Sequence, residues 1–180
     1  MAAQGSSDRA GERSGSSTAK GDGRSPDLSV ERLTHAEIPE ICSLFKRVWD
    51  SFEPGLGPDL AKSWKPTPLE FTSWMERVTY FAAVRDGHIV GTVGCEISDG
   101  NCRLIHLVVD PETRRQGVAS ALVRTAVDWA RHSNSHEVWV DVLARFTAAS
   151  ALLKHLEFED VGVLHRHRYN EDVRFFEKLL

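Results

Sequence analysis

Residues 110–130, DPETRRQGVASALVRTAVDWA, place two adjacent arginines and a glycine directly in front of an amphipathic helix. Ala119, Leu122, Val123, Ala126 and Ala130 recur at helical spacing, with Val118 and Trp129 beside that face. A helix N-terminus already carries partial positive charge from its aligned peptide dipoles, so Arg114 and Arg115 sit where cations are unfavourable. Two readings account for them. In one, a solvated arginine pair is neutralised by Asp110 or Glu112. In the other, a multiply charged anion lies among the unpaired amides of the first turn. Gly117 lets the chain turn tightly there, and the arginines add charge-assisted contacts to the anion's oxygens. Strand, loop and helix then form a pyrophosphate cradle. No strand leads into G-x-G-x-x-G, and G-x-x-x-x-G-K-[ST] is absent, which weakens dinucleotide and P-loop alternatives.

Working outward, LIHLVV (104–109) is apolar on both faces, as a strand covered on each side requires. Asp86-Gly87 and Asp99-Gly100 separate three apolar runs, TYFAAVR (79–85), HIVGTVGCEIS (88–98) and NCRLIHLVV (101–109), and predict two tight hairpins. The second turn sets Glu96 opposite Arg103. Downstream, EVWVDVL (137–143) reads as a strand and TAASALLKHL (147–156) as a helix. VGVLHRHRY (161–169) and VRFFEKLL (173–180) form a last strand pair. Upstream, a short strand in LSVERLT (28–34) precedes a capping box of Thr34 and Glu37, which opens a helix over 36–52. Its apolar stripe is Ile38, Ile41, Leu44, Phe45 and Val48. EPGLGP then breaks the chain, and PLEFTSWMERV (68–78) is a second helix with Pro68 in its first turn. An antiparallel meander followed by strand–helix–strand crossovers predicts an α/β (α+β) sheet covered by helices, one domain over residues 27–180.

Composition sets the class. At 180 residues and 41% hydrophobic, the chain is long enough to bury one full core. Residues 1–26 hold no large aliphatic or aromatic side chain after Met1 and are expected to be a disordered tail. The formal net charge of -4 argues against a nucleic-acid partner. No apolar run approaches the roughly 20 residues that span a bilayer, so no membrane partner is expected. Three cysteines, Cys42, Cys95 and Cys102, lack metal-ligand spacing. Together with the missing apolar leader they predict a cytoplasmic protein without bound metal.

Val109-Asp110-Pro111, followed by Arg114-Arg115-Gln116-Gly117-Val118-Ala119, resembles the acetyl-CoA signature of the GNAT superfamily of N-acetyltransferases. That signature is (Arg or Gln)-x-x-Gly-x-(Gly or Ala) after a strand ending in Val-x-Pro, and the resemblance covers roughly residues 28–180. It implies a mixed, mostly antiparallel, splayed sheet of six or seven strands with about four flanking helices. It implies a bulge in the strand of Leu107, Val108 and Val109, whose backbone pairs with the pantetheine arm of acetyl-CoA. Amides from Arg115 to Ala119 would hold the pyrophosphate with help from Arg114 and Arg115, and Gln116 and Ser120 complete the implied cofactor set. Superfamily members often pair, which implies a homodimer. The C-terminal part departs from the pattern: Phe146 stands at the usual Asn, Leu153 at the usual Tyr and Glu157 at the usual Gly. The Tyr proposed elsewhere to protonate the departing thiolate is therefore missing.

Transfer to an amine needs a neutral nucleophile, stabilisation of a developing oxyanion and a route for one proton. His106 and Asp141 interrupt apolar strands, and Glu96 lies one strand away. The three are candidate bases, each with a structural alternative: a satisfied core histidine, a structural hydrogen bond, and an ion pair to Arg103. Trp49, Asp50, Phe52, Glu53 and Trp64, around the Gly/Pro loop, are candidate substrate contacts for a small cationic amine such as an aminoglycoside-type antibiotic or polyamine. Acetylation of a protein N-terminus or lysine is the alternative acceptor. A non-catalytic acetyl-CoA sensor is the alternative class, favoured by the missing Tyr.

Overall fold

The computed structural model describes residues 28–52 and 62–180; the expected disorder of residues 1–26 and the place of Glu53 lie outside the described residues. Among these, β1 (Ser29–Arg32) leads to Thr34, whose hydroxyl accepts from the Ala36 amide at 3.3 Å. Glu37 Oε2 accepts from the Thr34 amide at 2.8 Å, closing the expected capping box. The first turn is a 3-10 turn, His35–Glu37, which passes into α1 (Ile38–Asp50). The whole stripe from Ile38 to Val48 is buried. A second capping box, Thr67 with Glu70, opens α2 (Pro68–Met75). That helix ends three residues before its expected limit because Val78 is buried and pairs with Glu96 as the first residue of β2 (Val78–Arg85).

The chain continues through β3 (His88–Ser98), β4 (Asn101–Val109), α3 (Val118–His132), β5 (Glu137–Leu143), α4 (Thr147–His155), β6 (Glu159–Arg168) and β7 (Glu171–Leu179). Both Asp-Gly pairs are two-residue turns, closed by Arg85↔His88 and Ser98↔Asn101, and Glu96 lies opposite Arg103. The seven strands order as β1-β2-β3-β4-β5-β7-β6, antiparallel except for β4 with β5. Ile41, Leu44 and Phe71 of α1 and α2 pack on one face with Tyr80. Leu122, Ala126 and Ala130 of α3, with Leu153 of α4, pack on the other with Val138 and Phe176.

The feature that makes a site is a split. Pairing between β4 and β5 stops at Leu104↔Val140, although both strands run on. At this level β4 bulges: Thr92 pairs with Val108 and Gly94 with Ile105, so His106 and Leu107 together face Val93. β5 instead keeps its register with β7 as far as Leu143↔Val173. Beyond Leu104, one edge of β4 therefore faces open space rather than a strand.

Candidate active site

A cavity of about 510 Å3 occupies the split, within the ~300–1,000 Å3 usual for small-molecule sites. β4 contributes Ile105 to Leu107 and β5 contributes Asp141 to Leu143. Trp49, Trp64, Trp74 and Phe146 form an aromatic wall, and Arg168 with Tyr169 close it from the β6–β7 turn. Within the wall, Trp49 and Trp64 lie 4.3 Å apart between ring centroids, and Phe146 stacks on Trp49 at 6.5 Å.

His106 sits in the bulge with a φ of 52°, a strained conformation for a residue with a Cβ. Its Nδ1 is hydrogen bonded to the Tyr80 hydroxyl at 2.6 Å, and its ring stacks on Trp74 at 4.4 Å. Tyr80 reaches it across Gly94, where an added Cβ would meet Tyr80 Cε1 at 2.8 Å. Burial, with Arg103 and Arg168 adding to it, pushes the imidazole down to about 4, so it is neutral near pH 7. Burial likewise raises the Tyr80 phenol above its ordinary value.

Asp141 has a side chain only 4% exposed, clamped between two arginines. Arg103 Nη2 donates to Oδ1 at 2.7 Å, and Arg168 Nη2 lies 2.7 Å from Oδ2 in an ion pair whose angle falls short of a hydrogen bond. Glu96 also lines the cavity, with Oε2 at 4.0 Å from Arg103, a looser contact. All three candidate bases therefore border one space, each with a different tie.

The expected substrate contacts divide. Trp49 and Trp64 line the cavity. Asp50 is not among its described lining residues; Lys46 at 2.7 Å and Lys65 at 2.6 Å hold its carboxylate. Phe52 lies behind the wall, packed on Trp49 at 5.6 Å and Phe146 at 5.5 Å. Trp74, Arg77, Arg168 and Tyr169 border the cavity unanticipated, because each lies at an element end whose direction is set only by packing.

The loop from β4 to α3 is pinned to α1. Arg47 Nε and Nη2 donate to Asp110 Oδ2 at 3.0 and 2.9 Å, and the Arg114 guanidinium lies 4.7 Å over the Phe52 ring. Asp110 is thus engaged by Arg47, and among the described residues neither Arg114 nor Arg115 has a carboxylate within 4 Å. Gly117 adopts φ 83° at the N-cap of α3, and beyond its own chain neighbours no described atom lies within 4 Å of where its Cβ would stand. Ala121 is the first amide to close a helical bond there, donating to Gly117 O at 3.0 Å. The amides of Val118, Ala119 and Ser120 precede it and have no intrahelical partner. Gln116 turns aside, with Oε1 accepting from Arg85 and Nε2 donating to Glu112 O at 3.1 Å.

The profile of the Acetyltransferase (GNAT) family matches residues 41–158. Human N-acetyltransferase 8B is 30% identical over 132 residues, covering 69% of this chain and 56% of that protein. The [ribosomal protein bS18]-alanine N-acetyltransferase of Escherichia coli is 25% identical over 99 residues, covering 55% of this chain and 67% of that one. This chain spans only part of the human relatives, and just 39% of human N-acetyltransferase 8. The PaiA N-acetyltransferase of Thermoplasma acidophilum, solved with coenzyme A, superposes with a TM-score of 0.72 at 13% identity, covering 86% of this chain and 99% of that one. That likeness is one of fold.

Proposed function

This chain belongs to the acetyltransferase (GNAT) family, and from that premise we propose that it transfers an acetyl group from acetyl-CoA to a primary amine in the β4–β5 cavity. The observation that carries the reading is the coincidence of the sheet's split with an open amide ring at the N-terminus of α3. The residues fit the donor: free amides from Val118 to Ser120, Gly117 without a Cβ, and Arg115 exposed with no carboxylate partner among the described residues. These groups, with Arg114, would hold its diphosphate, and the unpaired β4 edge at Leu107, Val108 and Val109 would receive its arm. Acetyl-CoA supplies an activated acyl group.

The chain's own work is to hold the amine and take one proton. Asp141 is tied by two arginines, and His106, pushed down to about 4, is a weak base. Glu96 is the group left to accept a proton, directly or through water. The aminoglycosides and polyamines suggested by the loop acids gain little support from the described lining of the cavity, in which Arg77, Arg103 and Arg168 outnumber Glu96 and Asp141. A small amine is the leading acceptor. Acetylation of a protein N-terminus is a second reading, favoured by the likeness to the E. coli alanine N-acetyltransferase.

Thiol release from acetyl-CoA across a panel of amines and N-terminal peptides tests the reading. Release with one class is expected; coenzyme A binding without release for every amine would make this a sensor. Gly117→Glu places a carboxylate among the α3 amides and is expected to weaken coenzyme A at least about tenfold in calorimetry, with the folded state retained. Undiminished affinity would remove the cradle.

A further inference from the structure

The charges around the cavity are asymmetric once their pairings are counted. Both carboxylates are engaged: Asp141 has an arginine at 2.7 Å from each oxygen, and Glu96 faces Arg103 at 4.0 Å. Arg77 lines the same cavity, is exposed, and has no carboxylate within 4 Å among the described residues. Among its described lining residues the cavity thus has one cation to spare. Two further donors in its lining residues, Trp49 Nε1 and Arg103 Nε, are buried without a hydrogen-bond acceptor. Trp49, Trp64, Trp74 and Phe146 give the same wall an aromatic side.

We propose that the acceptor is a small amine carrying a carboxylate, bound with that carboxylate on Arg77 and its apolar side chain among the tryptophans. This rests on the acetyltransferase reading above and names its substrate class. A guanidinium presents a planar fork that matches a carboxylate. The same surplus charge acts on the amine. An unneutralised Arg77 disfavours a bare ammonium beside it. An amine bearing a carboxylate offsets that repulsion with its own anion. A polyamine, with several cations and none, does not.

The test compares L-phenylalanine with 2-phenylethylamine, which lacks only the carboxylate, and with spermidine. Quenching of cavity tryptophan fluorescence reads binding to the full-length protein, and thiol release from acetyl-CoA reads transfer. Phenylalanine is expected to bind at least about tenfold more tightly than 2-phenylethylamine, and spermidine least. Arg77→Gln is expected to bring the first ratio close to one, and Arg77→Lys to restore part of it, with thermal melts confirming that both variants fold. Equal or stronger binding of 2-phenylethylamine or spermidine overturns the proposal, as does an Arg77→Gln effect of the same size on both phenyl compounds, or no quenching by any of the three. Faster thiol release with an N-terminal peptide amidated at its C-terminus overturns it in favour of a protein acceptor. If phenylalanine binds as expected but no amine releases thiol, the transferase reading falls and the anion anchor stands. If 2-phenylethylamine alone releases thiol, the reverse holds.

Discussion

His106 joins three parts of the site: it occupies the β4 bulge, bonds Tyr80 and stacks on Trp74. Its identity was visible as the lone polar residue of LIHLVV, but its state was not, because burial sets it first, with Arg103 of the same strand and Arg168 from the end of β6 adding to it. A histidine whose folded pKa lies below its unfolded value binds a proton more readily when unfolded. Stability is therefore full above about pH 6.5 and falls as the pH drops through that value toward 4. The loss between pH 7 and pH 5 is about 2 kcal/mol on this account. Urea unfolding at the two pH values should show that loss in the protein and little of it in His106→Gln. An equal loss in both would assign the titration to another group.

α2 is short, and its cap matters in proportion. Thr67 and Glu70 satisfy donors at its start, the Glu70 amide reaching Thr67 Oγ1 at 3.3 Å, and the helix places Trp74 against His106. Thr67→Ala should cost about 1 kcal/mol, a fall of about 2–4 °C in thermal midpoint for a domain of this size. The Trp74 contribution to fluorescence should shift with it. Thr72→Ala, which removes a bond to Pro68 O within the same helix, should change stability by less than about 0.5 kcal/mol. Equal effects of the two would deny the cap its role. The element also shows where periodicity stops being informative. Glu76, Arg77 and Val78 continue a helical pattern in the chain, yet the pull of Val78 into the sheet ends the helix and turns Arg77 to the cavity.

Across the molecule, Asp141 ties the two sides of the split. Arg103 reaches it from β4 and Arg168 from the end of β6, just where β4 and β5 cease to pair. Removing the carboxylate leaves two arginines, each about a third exposed, without their anion. Asp141→Asn should therefore destabilise by about 2 kcal/mol, less than unpairing a fully buried charge because both arginines keep contact with water and Arg103 keeps Glu96, and should loosen the β6–β7 turn. Urea unfolding and hydrogen exchange at Arg168 and Tyr169 measure both, and an unchanged midpoint would make Asp141 energetically idle. Acetyl transfer lost far beyond the loss of stability would mark it as part of the chemistry instead. The strands, their Asp-Gly turns, the Glu96–Arg103 register and the glycine-led start of α3 were all legible in the sequence, since each follows from local periodicity or from the backbone needs of a few neighbouring residues. The parting of β4 from β5, the clamp on Asp141, the turning of Asp50 to lysines and the spare cation at Arg77 were decided only by the tertiary structure. They depend on which charges and rings, far apart along the chain, compete for the same few ångströms, and no local pattern encodes the outcome of that competition.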